Sequence, residues 1–265
     1  MTMPAATAPV FLRCDGAIAD IVFNAPERRN AFSQKMWAAL PGLIAEAESA
    51  STVKTIIMHG GESGHFAAGA DISEFETIYA DDVVAGESAD TIANALNAIA
   101  GCEKPVIAAI EGVCIGGGVS LALAADIRIA SQRSRFGVTP AKLGLVYPAD
   151  DMRRLVQAVG SGHARDILFT GAIFDAQRAQ RIGLVEDLCP EGTALDHARN
   201  RAEMIGEVSQ YSVREMKRLL SALTTTGGLS DEDGRQAFID TARSEHFRAG
   251  YRAFLDKRKA EFPNP

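Results

Sequence analysis

The residues best placed to do chemistry lie around Gly116-Gly117-Gly118. The triplet follows a short apolar run from Pro105 to Ile110, rich in β-branched residues, and a five-residue connection. Val119 to Ala125 then reads as a buried helix. A strand feeding a glycine turn into a helix start gathers unpaired backbone N–H groups and the positive end of a helix dipole at one point, and that point binds negative charge. Several motifs compete for the triplet. The dinucleotide fingerprint G-x-G-x-x-G does not match its spacing, and the P-loop needs a Gly-Lys-Ser/Thr that is missing. A nucleophile elbow would read Gly118-Val119-Ser120-Leu121-Ala122 as a degenerate G-x-S-x-G, although none of His59, His65, His163, His197 and His246 carries the local signature of a partner base. A tight turn serving only close packing is the bland alternative. A second glycine-containing stretch, His65 to Ile72, places Asp71 at the start of a short helix. In the loop before it, His59 to Gly64, small residues leave room for backbone to approach a ligand. No His, Asp or Glu cluster has metal-ligand spacing, so no metal site is expected.

These stretches need a scaffold, and 265 residues that are 47% hydrophobic can bury one large core. A net charge of −7 argues against nucleic acid or an anionic membrane as partner. The first ten residues lack a signal-peptide pattern and no run is long enough to span a membrane, so a cytoplasmic protein is expected. Cys14, Cys102, Cys114 and Cys189 are widely spaced and read as reduced, mostly buried thiols. Val10 to Arg13 and Ala17 to Phe23 suggest a first hairpin, and Ser33 caps a helix to about Ser49 in which Pro41 is expected to introduce a kink. Val53 to Met58 and Asp126 to Ala130 read as strands. Asp81 to Glu87 reads as a polar connection before a helix from Ser88 to Ala100, and two helices, Pro148 to Val159 and Gly162 to Phe169, meet at Gly160-Ser161. One or two helices over Ala194 to Leu223, one capped by Ser230 and one from Glu245 to about Ala260 complete the chain. Strands alternating with helices followed by a helical tail predict an α/β core over residues 1–195 and a helical region over 196–265.

Phe66-Ala67-Ala68-Gly69-Ala70-Asp71 and Ile115-Gly116-Gly117-Gly118, each opening a helix, resemble the paired oxyanion-hole segments of the crotonase superfamily, the enoyl-CoA hydratase/isomerase family. The resemblance covers nearly the whole chain. Asn24-Ala25-Pro26-Glu27-Arg28-Arg29-Asn30-Ala31, Phe136-Gly137, Leu143-Gly144, Gly183-Leu184-Val185 and Ala253 to Lys259 are similar to family landmarks and stand in the same order. The resemblance implies a spiral of repeated ββα units with a C-terminal helical trimerisation region, and a homotrimer or homohexamer. It also implies an acyl-CoA or enoyl-CoA thioester as substrate, with coenzyme A part of that substrate and no permanently bound cofactor. By the same resemblance, the backbone N–H groups of Ala70 and Gly117 hold the thioester oxygen as the enolate forms. Arg28, Ala68 and Ala70 line the CoA site, and Phe254 and Lys257 reach its adenine end, from a neighbouring subunit in one arrangement.

The sequence departs from that pattern where hydration would need it, and also where the family's ordinary double-bond isomerases place a carboxylate, at Pro140 or Pro148. The family's hydratases use two carboxylates, and the matching positions here are Ser120 and Pro140. A serine hydroxyl is a weak base and proline has no proton to exchange. Asp150 is the leading replacement acid–base group, with Asp151 beside it; Ser120 is a polar pocket residue, Pro140 and Tyr147 line the pocket, and Glu74 and His65 are further candidates. Three readings stay open. These are a lyase or isomerase with an atypical acid–base group, a CoA-thioester hydrolase or decarboxylase, and a CoA-binding or interaction protein without catalysis.

Overall fold

The computed structural model describes residues 8–224 and 228–263; most of the N-terminal stretch examined above for a leader lies outside them. The hairpin forms as expected, β1 (Val10–Asp15) pairing antiparallel with β2 (Ile18–Phe23). Ser33 caps α1 (Gln34–Ser49), accepting from the Met36 N–H at 3.4 Å, and the helix runs on through Pro41. β3 (Thr55–His59) lies parallel to β2. After a single-turn α2 (Phe75–Ile78) comes α3 (Asp82–Gly101), which absorbs the stretch read as a polar connection. The reason is local: the Asp81 carboxylate accepts from the Val83 and Val84 N–H groups at 2.7 and 3.3 Å, so the helix starts a turn and a half earlier with a solvated first face.

The chain then passes twice through the same unit. β4 (Val106–Ile110) leads to β5 (Val113–Ile115) and α4 (Gly117–Ala124); β6 (Ile127–Ser131) leads to β7 (Arg135–Gly137) and α5 (Ala149–Thr170). The five-residue connection before the triplet thus contains a strand of its own. α5 is interrupted where its glycine predicts, at Gly160 with φ 74° and ψ 161°. β8 (Phe174–Asp175), α6 (Ala176–Arg181) and β9 (Asp187–Cys189) follow, then α7 (Ala194–Gly206), α8 (Gln210–Thr224), α9 (Asp231–Arg243, capped by Ser230) and α10 (Glu245–Leu255). The first strand of each unit joins a six-stranded sheet in the order β1-β2-β3-β4-β6-β9; the second joins a three-stranded sheet, β5-β7-β8.

The large sheet is parallel apart from its first pair and is covered on both faces, which explains why β3 and β4 are buried throughout and why their interiors are apolar. Ile56, Met58, Val106, Ala108 and Ile110 enter the main core with α1 and α3, while the alternate residues Ile57, Ile107 and Ala109 face α7. Ala194, Ala198 and Ala202 recur every four residues on that helix and give it a small-residue stripe against the sheet. The expected boundary at 195/196 falls inside α7.

One polar cluster breaks the apolar second face. Asp20, 1% exposed, accepts from Arg13 and from Arg199 of α7 at 2.8 and 2.7 Å, and His59 Nε2 lies 4.0 Å from its other oxygen. Burial pushes the His59 imidazole down to about 4, with Arg13 and Arg199 adding to the shift and Asp20 opposing it. An unfolded histidine takes up its proton near ~6.5, whereas the folded one stays neutral to about 4. The unfolded state therefore binds more protons across that window. Stability is complete above it and falls with pH, by about 3 kcal/mol in total. Urea unfolding measured from pH 7 to 4 should show this slope, and His59→Gln should flatten it.

Candidate active site

The oxyanion candidates come together at the junction of the two sheets. Gly116 follows β5 and caps α4 with φ 52° and ψ −114°, a conformation a side chain would strain, and its N–H donates to the Gly137 carbonyl at 2.8 Å. This turn aims the start of α4 back across the 67–70 segment. A Cβ on Gly118 would sit 2.3 Å from the Ala67 carbonyl oxygen, so no side chain fits there. Ala67 is tied to the small sheet by a parallel bridge to Cys114, and Phe32 bridges to Ala70, its N–H donating to the Gly69 carbonyl at 2.7 Å. The two predicted donors end as neighbours: a Cβ on Gly117 would lie 3.5 Å from Ala70 N and 3.1 Å from Trp37 Cζ2. Among the described residues, neither the Ala70 nor the Gly117 N–H has an acceptor. Two unspent donors facing one space, one of them at a helix N-terminus, are suited to a developing negative oxygen.

That space is a cavity of about 530 Å³. Ala68, Ala70, Gly117, Ser120, Pro140, Tyr147 and Asp150 all line it, as do Asp151, Arg154 and Asn97. The wall formed by α3 is largely apolar, with Ala85, Ala89, Ile92, Ala93 and Leu96, and Leu143, Leu145 and Val146 stand among the remaining lining residues. Ser120 is 2% exposed, Tyr147 5% and Asp151 2%. Ser120 Oγ lies 2.7 Å from the Tyr147 hydroxyl and donates to Asp151 Oδ2 at 2.8 Å. Arg154 donates to Asp151 Oδ1 at 2.9 Å and, through its other terminal nitrogen, to Asn97 Oδ1 on α3 at 2.8 Å.

Burial pushes the Asp151 carboxyl above the usual carboxylate range, against the Ser120 hydrogen bond and the Arg154 guanidinium, which favour its charged form. Burial likewise raises the Tyr147 phenol, and the Asp151 charge adds to that. Asp150 has different surroundings. Its carboxylate is 49% exposed and pairs with Arg153 one turn along α5 at 2.9 Å.

The remaining candidates lie apart from the cavity lining. Glu74 accepts from the Gln34 N–H at 2.8 Å and so serves the start of α1; Asp71 accepts from Ser73 and caps its own turn. Arg28 donates to Asp71 Oδ2 at 3.1 Å. His65 Nδ1 faces the Val113 N–H, and the His59 to Gly64 loop is closed on itself rather than open to a ligand: Ser63 Oγ lies 2.7 and 2.8 Å from the Gly60 and His65 carbonyl oxygens, which share its one proton. Phe254 is 83% exposed near the end of α10, with Lys257 just beyond it, and neither lines this cavity. Arg154 and Asn97 were not among the sequence candidates. The i, i+3 spacing of Asp151 and Arg154 is the signal that could have found the first; Asn97 arrives only through tertiary packing.

Among the described residues no helix is long and apolar enough to cross a membrane, and no group of three or more His, Cys, Asp or Glu could hold a metal ion. Residues 13–265 match the family model described as enoyl-CoA hydratase/isomerase. The chain is 32% identical over 258 residues to the short-chain-enoyl-CoA hydratase of Clostridium acetobutylicum, covering 95% of this chain and 96% of that protein. It is 32% identical over 247 residues to the 2,3-dehydroadipyl-CoA hydratase of Escherichia coli, covering 91% and 93%. The crystal structure of an enoyl-CoA hydratase/isomerase family protein from Hyphomonas neptunium superposes with a TM-score of 0.95 at 55% identity, over 98% of this chain and 99% of that one. The two sheets with their C-terminal helices are the crotonase fold that the resemblance implied. With nearly its full length matched by the family model and by these proteins, the chain belongs to the enoyl-CoA hydratase/isomerase family.

Proposed function

We propose that this chain binds the thioester of an acyl-CoA and catalyses a proton transfer at its α-carbon, with the enolate oxygen held by the N–H groups of Ala70 and Gly117. The observation that carries this reading is the joining, in one cavity, of those two unspent donors and a buried carboxylate, Asp151, hydrogen-bonded to Ser120. We assign the acid–base role to Asp151 in place of Asp150. Each acid has an arginine partner, but Asp150 is half exposed, whereas burial brings Asp151 nearer the working pH of a general acid or base.

A single acid–base group suits removal and return of one proton, as in moving a double bond between the 3,4 and 2,3 positions of an enoyl thioester. Hydration needs two, one for the water and one for the α-carbon, and Ser120 and Pro140 stand where the family resemblance expects those carboxylates. Arg28, Ala68, Phe254 and Lys257 are assigned to coenzyme A, which is part of the substrate and not a resident cofactor. The position of Phe254 and Lys257 away from the cavity supports their reaching CoA from a second copy. Exposed Met216, Leu220 and Leu223 on α8 and Phe238, Phe247 and Phe254 on α9 and α10 support a homotrimer or homohexamer built through that region.

Purified protein given 2-enoyl-CoA and 3-enoyl-CoA in parallel, with free thiol followed in the same reactions, tests the reading. Interconversion of the two isomers that survives Asp150→Asn and is lost in Asp151→Asn is expected. Net hydration of the 2-enoyl substrate, thiol release, or binding with no turnover would each replace the isomerase reading, by hydratase, hydrolase and non-catalytic binding respectively.

A further inference from the structure

The hydrogen bonds at Asp151 have a direction that chemistry fixes. An ionised carboxylate only accepts, so the 2.8 Å contact spends the single Ser120 proton on Asp151 Oδ2. With that proton spent, the 2.7 Å contact between Ser120 and Tyr147 must be one in which the phenol donates. The result is a directed chain, Tyr147 to Ser120 to Asp151, with the carboxylate at one end and the phenol oxygen at the other. Tyr147 lines the cavity, and among the described residues its hydroxyl has no hydrogen-bond partner besides Ser120, which leaves it as the chain's terminus. The far end is anchored twice, by Arg154 on Asp151 Oδ1 and by Asn97, which holds Arg154 from α3.

We propose that Tyr147 is the catalytic residue that takes the proton from the bound acyl chain and returns it, with Ser120 as relay, Asp151 as the proton's store and Arg154 as the residue that positions the store. This rests on the enolate reading above. In the forward step the carbon–hydrogen bond breaks and its electron pair enters the enolate. The proton goes to the phenol oxygen as the phenol's own proton passes to Ser120 Oγ and the serine's to Asp151 Oδ2. The return step runs the same transfers backwards after the relay's hydroxyl and carboxyl protons exchange with solvent, so the α-carbon takes up a solvent proton and no oxidant or other co-reactant is consumed.

This order answers a difficulty that a buried tyrosine would otherwise raise. Burial strongly disfavours a phenolate at position 147, but the relay never forms one, because the phenol gains a proton as it gives one up. The only protein group that changes charge is Asp151, and its negative charge reappears on the enolate oxygen. The groups facing it are Ser120 from α4, Tyr147 from the segment before α5, and Arg154 and Asp150 from α5 itself.

Exchange of the α-hydrogens of butyryl-CoA into D₂O, followed by NMR, reads the step without requiring the full reaction. Wild type, Tyr147→Phe, Ser120→Ala and Asp151→Asn are compared, with butyryl-CoA affinity measured by calorimetry. Each of the three relay variants is expected to lose about 10²–10⁴-fold in exchange rate while affinity stays within a few-fold. The Tyr147→Phe/Asp151→Asn double variant should lose no more than either single one, because the chain acts as a unit. Wild-type exchange that persists in Tyr147→Phe within a few-fold overturns the assignment of Tyr147 and leaves the enolate reading standing. The same holds if the double variant loses the product of the two single losses. Butyryl-CoA bound by wild type without any exchange overturns the enolate reading, and this inference with it.

Discussion

Replacement of Gly117 by proline is expected to lower turnover of the acyl-CoA substrate by about 10²–10³-fold, the usual cost of one lost oxyanion donor, or about 2.7–4 kcal/mol of transition-state stabilisation. The substitution is selective because Gly117 is the first residue of α4, where proline's fixed φ and missing N–H are tolerated. Only the N–H that faces the cavity is lost. A new Cβ would press on Trp37 Cζ2 at 3.1 Å, so part of any effect could come from crowding. Gly117→Ala adds the same Cβ and keeps the N–H, and it separates the two. Steady-state kinetics in which the proline and alanine variants were equally active would remove Gly117 from the oxyanion site.

The second large effect is on stability. Asn30 is fully buried, has φ 55°, and belongs to the stretch from Asn24 to Ala31 that precedes α1. Its Nδ2 donates to the Gly60 and His65 carbonyls at 3.1 and 2.8 Å and lies 2.7 Å from Ser63 Oγ, while its Oδ1 accepts from the Ala25 N–H at 2.8 Å. Asn30→Ala leaves the Ala25 N–H without its acceptor, weakens the hold on two carbonyls and puts alanine in a left-handed conformation that asparagine tolerates better. At about 1–3 kcal/mol for each buried group left unpaired, the loss should come to roughly 3–4 kcal/mol, a fall in Tm on the order of 10 °C. Thermal unfolding of the variant measures it, and a Tm within a degree or two of wild type would mean that Ser63 carries the loop alone. Because that loop leads directly into 67–70, the variant should also lose turnover at temperatures where it is still folded.

The parts of this fold that could be read from the sequence are those in which a local pattern and a buried environment agree. The apolar runs of β3 and β4 are strands covered on both faces, and the glycine triplet marks a turn into a helix because Gly116 takes a positive φ and Gly118 packs where no Cβ fits. The first turns of α3 were hidden because their polar residues are solvated, and a solvated helix face and a connection have the same composition. The site was legible to the same degree. Ala70 and Gly117 stand 47 positions apart, and their pairing came from a resemblance, since no spacing rule connects them. Asp150 and Asp151 show what a neighbouring pair conceals. Adjacent helical residues point about 100° apart, and both acids sit in a first turn where either satisfies the dipole. The buried stripe of α5 runs Asp151, Leu155, Val159, so the apolar residues four and eight positions on had already marked which acid turns inward. Asp151's link to Asn97, through Arg154, crosses between helices and has no sequence signature at all.

The proposed oxyanion donors belong to the main chain, and this has a consequence for how the protein can be altered. In the function proposed above, stabilisation of the enolate rests on backbone geometry at Ala70 and Gly117, while the fate of the proton rests on side chains at 120, 147 and 151. The two are separable under mutation. A carboxylate introduced at Ser120 or Pro140 would change which atom of the substrate is attacked without disturbing what is held, so the cavity is a natural starting point for directed evolution between reactions that share one intermediate.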